Sequence, residues 1–140
     1  MYYRGQQVDY IKYDHSRRGA MTVLHTVVCY AESTDGINWE KPSLGLVEFD
    51  GSTDNNIIWD GVGTHNFSPF LDKRPGCPAD QKYKALGGTM REGGLFAFAS
   101  PDGIRWRLLR KKPVITNGAI DSQNLAFWDA TAGCYRAYWR

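Results

Sequence analysis

Apolar residues in this chain come in short runs that break after a few positions. The clearest are Thr22-Val23-Leu24-His25-Thr26-Val27-Val28-Cys29-Tyr30, Leu95-Phe96-Ala97-Phe98-Ala99, Leu125-Ala126-Phe127-Trp128 and Tyr135-Arg136-Ala137-Tyr138-Trp139. Each is rich in β-branched or aromatic side chains and bounded by Gly, Asp, Asn or Pro, as strands between turns are. No apolar pattern of helical period is sustained over several turns. The chain is predicted to be all-β, and its apolar runs are too short to cross a membrane as a helix.

An internal repeat refines the expectation. Ser33-Thr34-Asp35-Gly36-Ile37-Asn38-Trp39 recurs 67 residues later as Ser100-Pro101-Asp102-Gly103-Ile104-Arg105-Trp106, identical at five of seven positions. Asp-Gly between strand-like runs is a hairpin signal, because Gly tolerates positive φ and Asp bonds its local backbone. The Trp then falls on the returning strand, where its ring can pack against a neighbouring sheet. A weaker repeat relates Asn66-Phe67-Ser68-Pro69-Phe70-Leu71-Asp72 and Tyr83-Lys84-Ala85-Leu86-Gly87 to Asn124-Leu125-Ala126-Phe127-Trp128-Asp129 and Tyr135-Arg136-Ala137-Tyr138-Trp139. Tyr2-Tyr3-Arg4-Gly5 reads as a third copy of the Tyr-rich strand.

Laid end to end, the unit is a four-stranded antiparallel sheet. Residues 1–42 read as strands two to four of one unit, 65–115 as a complete unit, and 121–140 as the first strands of the next. Four-stranded units at this period predict part of a β-propeller; a sandwich of short strands is the competing architecture. Propellers close with 4–8 blades, so the chain is expected to be a piece of a longer protein or to assemble from copies through its exposed blade edges. It is not expected to be active alone.

Composition adds limits. With 42% hydrophobic and 23% charged residues, five Trp, eight Tyr and six Phe, the chain has ample material for a folded core. A net charge of +2 does not by itself call for nucleic acid. Cys29, Cys77 and Cys134 form no CxxC pair, so neither a zinc site nor a disulfide framework is indicated. No signal peptide is visible at the N-terminus. Unpaired cysteines favour a reducing compartment and a polysaccharide substrate favours export, so location stays open.

The Ser-x-Asp-Gly-x-x-Trp turns resemble those of five-bladed propeller glycosidases. So do Asn38-Trp39-Glu40-Lys41-Pro42, His65-Asn66-Phe67-Ser68-Pro69-Phe70 and Asp121-Ser122-Gln123-Asn124-Leu125-Ala126-Phe127-Trp128. The similarity is to the glycoside hydrolase family 32 and 43 superfamily, including family-32-like bacterial proteins, and covers almost the whole chain. It implies a glycan-active protein, a glycoside hydrolase acting on an oligo- or polysaccharide, with no cofactor and no membrane partner. A non-catalytic propeller that binds carbohydrate or protein is the alternative. In that superfamily a funnel on the propeller axis binds the sugar, with acidic residues near the starts of the inner strands. The resemblance puts Asp121 there as the residue that orients substrate and tunes the acid, with His65, Asn66, Gln123 and Asn124 as substrate contacts. Ile120 and Ser122 flank Asp121 where the family carries Arg-Asp-Pro, and no Trp-x-Asn-Asp-Pro-Asn-Gly or Glu-Cys segment occurs. The chemistry needs a carboxylic acid to protonate the leaving oxygen and a second carboxylate as nucleophile or base.

Other conspicuous residues have structural explanations. Hairpin chemistry accounts for Asp35 and Asp102, and packing for Trp39 and Trp106. Arg105 to Lys112 holds five cations, but on an outermost strand such charge guards an edge and implies no nucleic acid. Asp50-Gly51-Ser52-Thr53-Asp54-Asn55-Asn56 could offer oxygens to Ca²⁺, yet it lacks the spacing of a calcium loop and reads as a polar inter-blade connection. His15 and His25 receive no role.

Overall fold

Residues 94–100 alternate large apolar side chains to opposite faces of a strand, and neither face is left to solvent. The structure, a computed structural model, describes residues 1–10 and 21–140; His15 lies outside the described residues. Tyr2–Tyr10 (β1), Met21–Tyr30 (β2) and Ile57–Asp60 (β3) form one sheet in that order. Ser68–Leu71 (β4), Tyr83–Thr89 (β5), Gly94–Ser100 (β6) and Arg107–Leu108 (β7) form a second, and Leu125–Asp129 (β8) pairs with Cys134–Tyr138 (β9). Every pairing is antiparallel, so the described residues are all-β as the apolar pattern predicts.

The middle sheet is buried on both faces. Ala85, Phe96 and Phe98 meet Val28 and Ile58 of the first sheet together with Trp106. Leu86 and Leu95 meet Ile120 and Ala126 on the other side. Each large side chain so buried contributes roughly 1.5–3 kcal/mol, which makes these two seams the main source of cohesion. Aromatic edges cross the first seam in sequence. Trp59 packs edge-on to Phe98 at 5.3 Å, Phe98 to Phe67 at 5.1 Å, Phe67 to Trp106 at 5.0 Å and Trp106 to Tyr2 at 6.1 Å. β8 lies against β4 and β5, so the first strands of successive units are neighbours.

The two Ser-x-Asp-Gly-x-x-Trp turns match bond for bond. Asp35 Oδ1 accepts from the backbone of Ile37 and Asn38, both at 2.8 Å, and Asp102 Oδ1 accepts from Ile104 at 2.9 Å and Arg105 at 2.8 Å. The Ser33 and Ser100 hydroxyls accept from Gly36 and Gly103, each at 2.9 Å. The indoles of Trp39 and Trp106 donate to the Gly36 and Gly103 carbonyls at 3.2 and 2.9 Å. Every fixed position of the motif is thus spent on the turn itself. Burial alone would raise the Asp102 carboxyl, but these donors and the Arg105 guanidinium pull it down to about 2. Its contribution to stability is therefore complete above the unfolded value of about 3.9 and is lost as pH falls through about 2. We expect Asp102→Ala to cost about 1–2 kcal/mol in urea denaturation at pH 7, as loss of a cap does. Asp35→Ala should cost less, because its turn stands in solvent.

Beyond the turn the two copies diverge. Trp106 is 8% exposed, whereas Trp39 is 43% exposed and does not pack as the repeat predicts. Residues 39–42 form no strand either: the chain makes a single bridge, Glu32 to Glu40, and leaves the sheet at Pro42, which has no N–H to offer a ladder. The outer strand of this unit is Ile57–Asp60, beyond the boundary at 42 that the sequence suggests. Val28 pairs with Trp59, 31 positions on, whereas its repeat mate Leu95 pairs with Ile115, 20 positions on, so the first unit carries 11 extra residues. Residues 50–56 belong to that excursion and so connect strands within one sheet rather than two units. The Asn55 amide donates to the Val47 carbonyl at 2.8 Å and the Asn56 amide to the Tyr30 carbonyl at 2.5 Å, so both close the loop. The Tyr-rich strand is also out of register with its expected mate. Tyr2 opposes Tyr30 and Leu86 opposes Ala97, 67 residues on from Tyr30, so Tyr2 matches Leu86 and not Tyr83.

Candidate functional site

The loop before β4 is forced close to the core. A Cβ on Gly63 (φ +80°) would stand 2.5 Å from the Phe98 ring, so only glycine fits where the chain crosses that ring. Glu92 fixes the crossing: one carboxylate oxygen accepts from the Gly63 N–H at 2.8 Å and the other from the Thr89 hydroxyl at 3.0 Å. The next residues, His65 and Asn66, bring the chain into β4. The His65 carbonyl accepts from the Gly88 N–H at 2.7 Å, and Asn66 takes φ +55°, a conformation asparagine tolerates.

One unit later the loop before β8 is held differently. Ile120 sits at φ +49°, a strained conformation for a β-branched residue, with its side chain fully buried. Its N–H donates to the Arg140 carbonyl at 2.9 Å. The Trp139 indole donates to the Asn117 carbonyl at 2.7 Å, so residues 117–120 wrap over the end of the β9 segment. Burying Ile120 turns Asp121 outward, with half of its side chain exposed and its carboxylate 3.2 Å from the Arg140 guanidinium.

These two loops meet. His65 and Asp121 line one open cleft of about 410 Å³ with Thr89, Met90, Arg91, Ala119 and Ile120. Burial lowers the His65 pKa, the Arg4 charge lowers it further and Glu92 opposes both, so the ring is held toward its neutral form. Its Nδ1 is buried without a hydrogen-bond partner. A neutral imidazole, a carboxylate, a hydroxyl and a guanidinium therefore converge on one space: donors and acceptors suited to a hydroxyl-rich ligand. Among the described residues no three His, Cys, Asp or Glu side chains come together as metal ligands would.

The other expected contacts are elsewhere. Asn66 lines a second cleft of about 290 Å³, with Tyr2, Tyr3, Arg4, Thr64 and Phe67, on the far side of residues 64–66. Gln123 is exposed and lines neither cleft. Asn124 departs from expectation most: it is fully buried, with both amide atoms unpartnered, and has no face to offer a sugar. The cause is strand alternation, which turns Asn124 and Ala126 inward and Leu125 outward. Thr89, Arg91, Arg4 and Arg140 join the site without a strong mark in the sequence. Only the matching triplets Tyr2-Tyr3-Arg4 and Tyr138-Trp139-Arg140 signal any of them.

Two of the five cations in the basic run are paired at the edge. Arg107 pairs with Asp80 at 2.5 Å and Arg105 with Asp102 at 2.7 Å, and only residues 107–108 are strand. No family model, curated protein or solved structure matches the chain.

Proposed function

We propose that the chain is part of a five-bladed β-propeller protein and holds a glycan in the cleft between His65 and Asp121. The observation that carries this reading is the convergence of two residues from corresponding loops of successive units on one cleft. Support for the propeller comes from three sheets packed face to face in chain order, a repeated turn, and neighbouring first strands. In the ring the free edges of β1 and β9 would be covered by further strands. Support for the sugar comes from the chemistry of the lining, in which Asp121 and the Thr89 oxygen accept from hydroxyls and His65 and Arg91 donate.

Hydrolysis by the usual route needs two carboxylates. Asp121 is the one carboxylate of the lining, and Glu92 has both oxygens engaged. The geometry therefore favours glycan binding, with turnover dependent on a second carboxylate facing Asp121. Calorimetric titration of the chain with oligosaccharides tests the reading. At least one should bind with a Kd of about 1 mM or tighter, and His65→Ala and Asp121→Ala should each weaken it about tenfold. Lys111→Ala, on the basic edge, should leave binding unchanged. Absence of binding by every sugar, or wild-type affinity in both site variants, overturns the reading. If a bound glycan is also cleaved, Asp121→Asn should lower kcat far more than affinity.

A further inference from the structure

Three guanidinium groups gather at the end of the sheets that carries the cleft. Arg91 lines the cleft itself, Arg4 lines the neighbouring one across residues 64–66, and Arg140 pairs with Asp121. Their placement follows the repeat. Arg4 stands opposite Val28 and Gly88 opposite Leu95, and positions 28 and 95 are 67 residues apart, so Arg4 and Gly88 correspond. Arg140 ends the triplet that matches Tyr2-Tyr3-Arg4. The first and third units thus carry Arg where the second carries Gly88. There φ is +139° and a Cβ would collide with the Gly94 carbonyl, so no cation can be accommodated. Arg91, three residues on, supplies that unit's charge.

Two carboxylates stand against these three cations, and both are engaged. Asp121 faces Arg140, and Glu92 holds the Gly63 N–H and the Thr89 hydroxyl. Among the described residues neither Arg4 nor Arg91 has an ion-pair partner. A guanidinium presents a planar fork that matches an oxyanion in two parallel hydrogen bonds, more strongly than it matches a hydroxyl. We propose that the glycan of this cleft is acidic, its carboxylate or sulfate ester held by Arg91 with Arg4 adding charge from across residues 64–66. The inference rests on the proposal that the cleft binds a sugar.

Titration of the chain at low salt with trigalacturonate, with neutral galactotriose and with a sulfated galactose trisaccharide tests it. The two anionic sugars distinguish carboxylate from sulfate, and either one should bind at least about tenfold tighter than the neutral sugar. Arg91→Gln should remove most of that preference, weakening the anionic sugars far more than galactotriose, while Arg91→Lys should restore part of it. Raising the salt should narrow the preference. Equal affinity for all three sugars, or an Arg91→Gln chain that keeps the preference, overturns the acidic inference and leaves the sugar reading standing. Loss of the preference on Lys111→Gln/Lys112→Gln also overturns it, because the anion would then be held by the basic edge. If none of the three sugars nor any other oligosaccharide binds, both readings fall together. Thermal melting of each variant guards against a folding defect, and Arg91 is an exposed turn residue whose replacement leaves the core intact.

Discussion

Phe98→Ala is expected to cost about 3–5 kcal/mol, the range for truncating a fully buried aromatic ring, and to lower the melting temperature by roughly 10–17 °C. Phe98 has no exposed surface, and its ring is gripped edge-on by Trp59 of the first sheet at 5.3 Å and by Phe67, just before β4, at 5.1 Å. The backbone also closes on it, since Gly63 crosses the ring with no room for a Cβ. That crossing leaves little freedom for the surroundings to collapse into the space, which places the cost toward the upper end of the range. Phe127→Ala is the matched control. Phe127 stacks on Tyr138 at 6.2 Å with its ring partly in solvent, so its removal should cost less than about 1 kcal/mol. Denaturant unfolding of both variants at pH 7 checks the pair. Equal costs would mean that the seam between the first and second sheets is not what holds the fold.

Much of this fold is legible in the sequence, for reasons that can be named. The turns are readable because Ser, Asp, Gly and Trp each satisfy a bond within seven residues, so everything that fixes them is local. Strand identity is readable in 94–100 because both faces of that strand are covered and nearly every residue is apolar. The long-range features are not. Nothing in residues 43–56 says that the chain will leave the sheet at Pro42 and return at Ile57, because the partner that recruits Ile57 is Cys29 on β2. Position in the repeat points Asn124 at the cleft, but one residue of alternation separates a lining side chain from a buried one. The site is half readable. His65 and Asp121 stand at strand starts, where repeats reveal position, whereas Arg91 sits in the short 3₁₀ turn between β5 and β6, and it lines the cleft only because successive units pack together.

The second large effect is expected at Asp72, at the far end of β4 from the cleft. Its carboxylate is buried and accepts from the Lys84 ammonium, from the Tyr135 hydroxyl at 2.6 Å, from the Arg74 N–H at 2.9 Å and from the Cys77 thiol at 3.1 Å. Tyr135 belongs to β9, so this carboxylate ties the second unit to the third. The arrangement is partly repeated, since Asp129 accepts from Arg136 at 2.5 Å, and Arg136 follows Tyr135 as Lys84 follows Tyr83. Asp72→Ala would leave the largely buried Lys84 ammonium without its counter-charge, at a cost of about 3–5 kcal/mol. Asp72→Ala/Lys84→Met should recover most of that loss, because removing both charges also removes the desolvation penalty. The pH dependence gives an independent check. Burial would raise the Asp72 carboxyl, but its four donors outweigh burial and hold it well below the usual carboxylate range. A depressed folded value means that the network stabilises the protein above the unfolded value of about 3.9 and loses that contribution progressively as pH falls below it. The stability gap between wild type and Asp72→Ala should therefore be full at pH 7 and shrink steadily below about pH 4. A gap that stays constant from pH 7 to pH 2 would mean that the carboxyl titrates alike in the folded and unfolded chain, and that its four donors do not favour the ionised form.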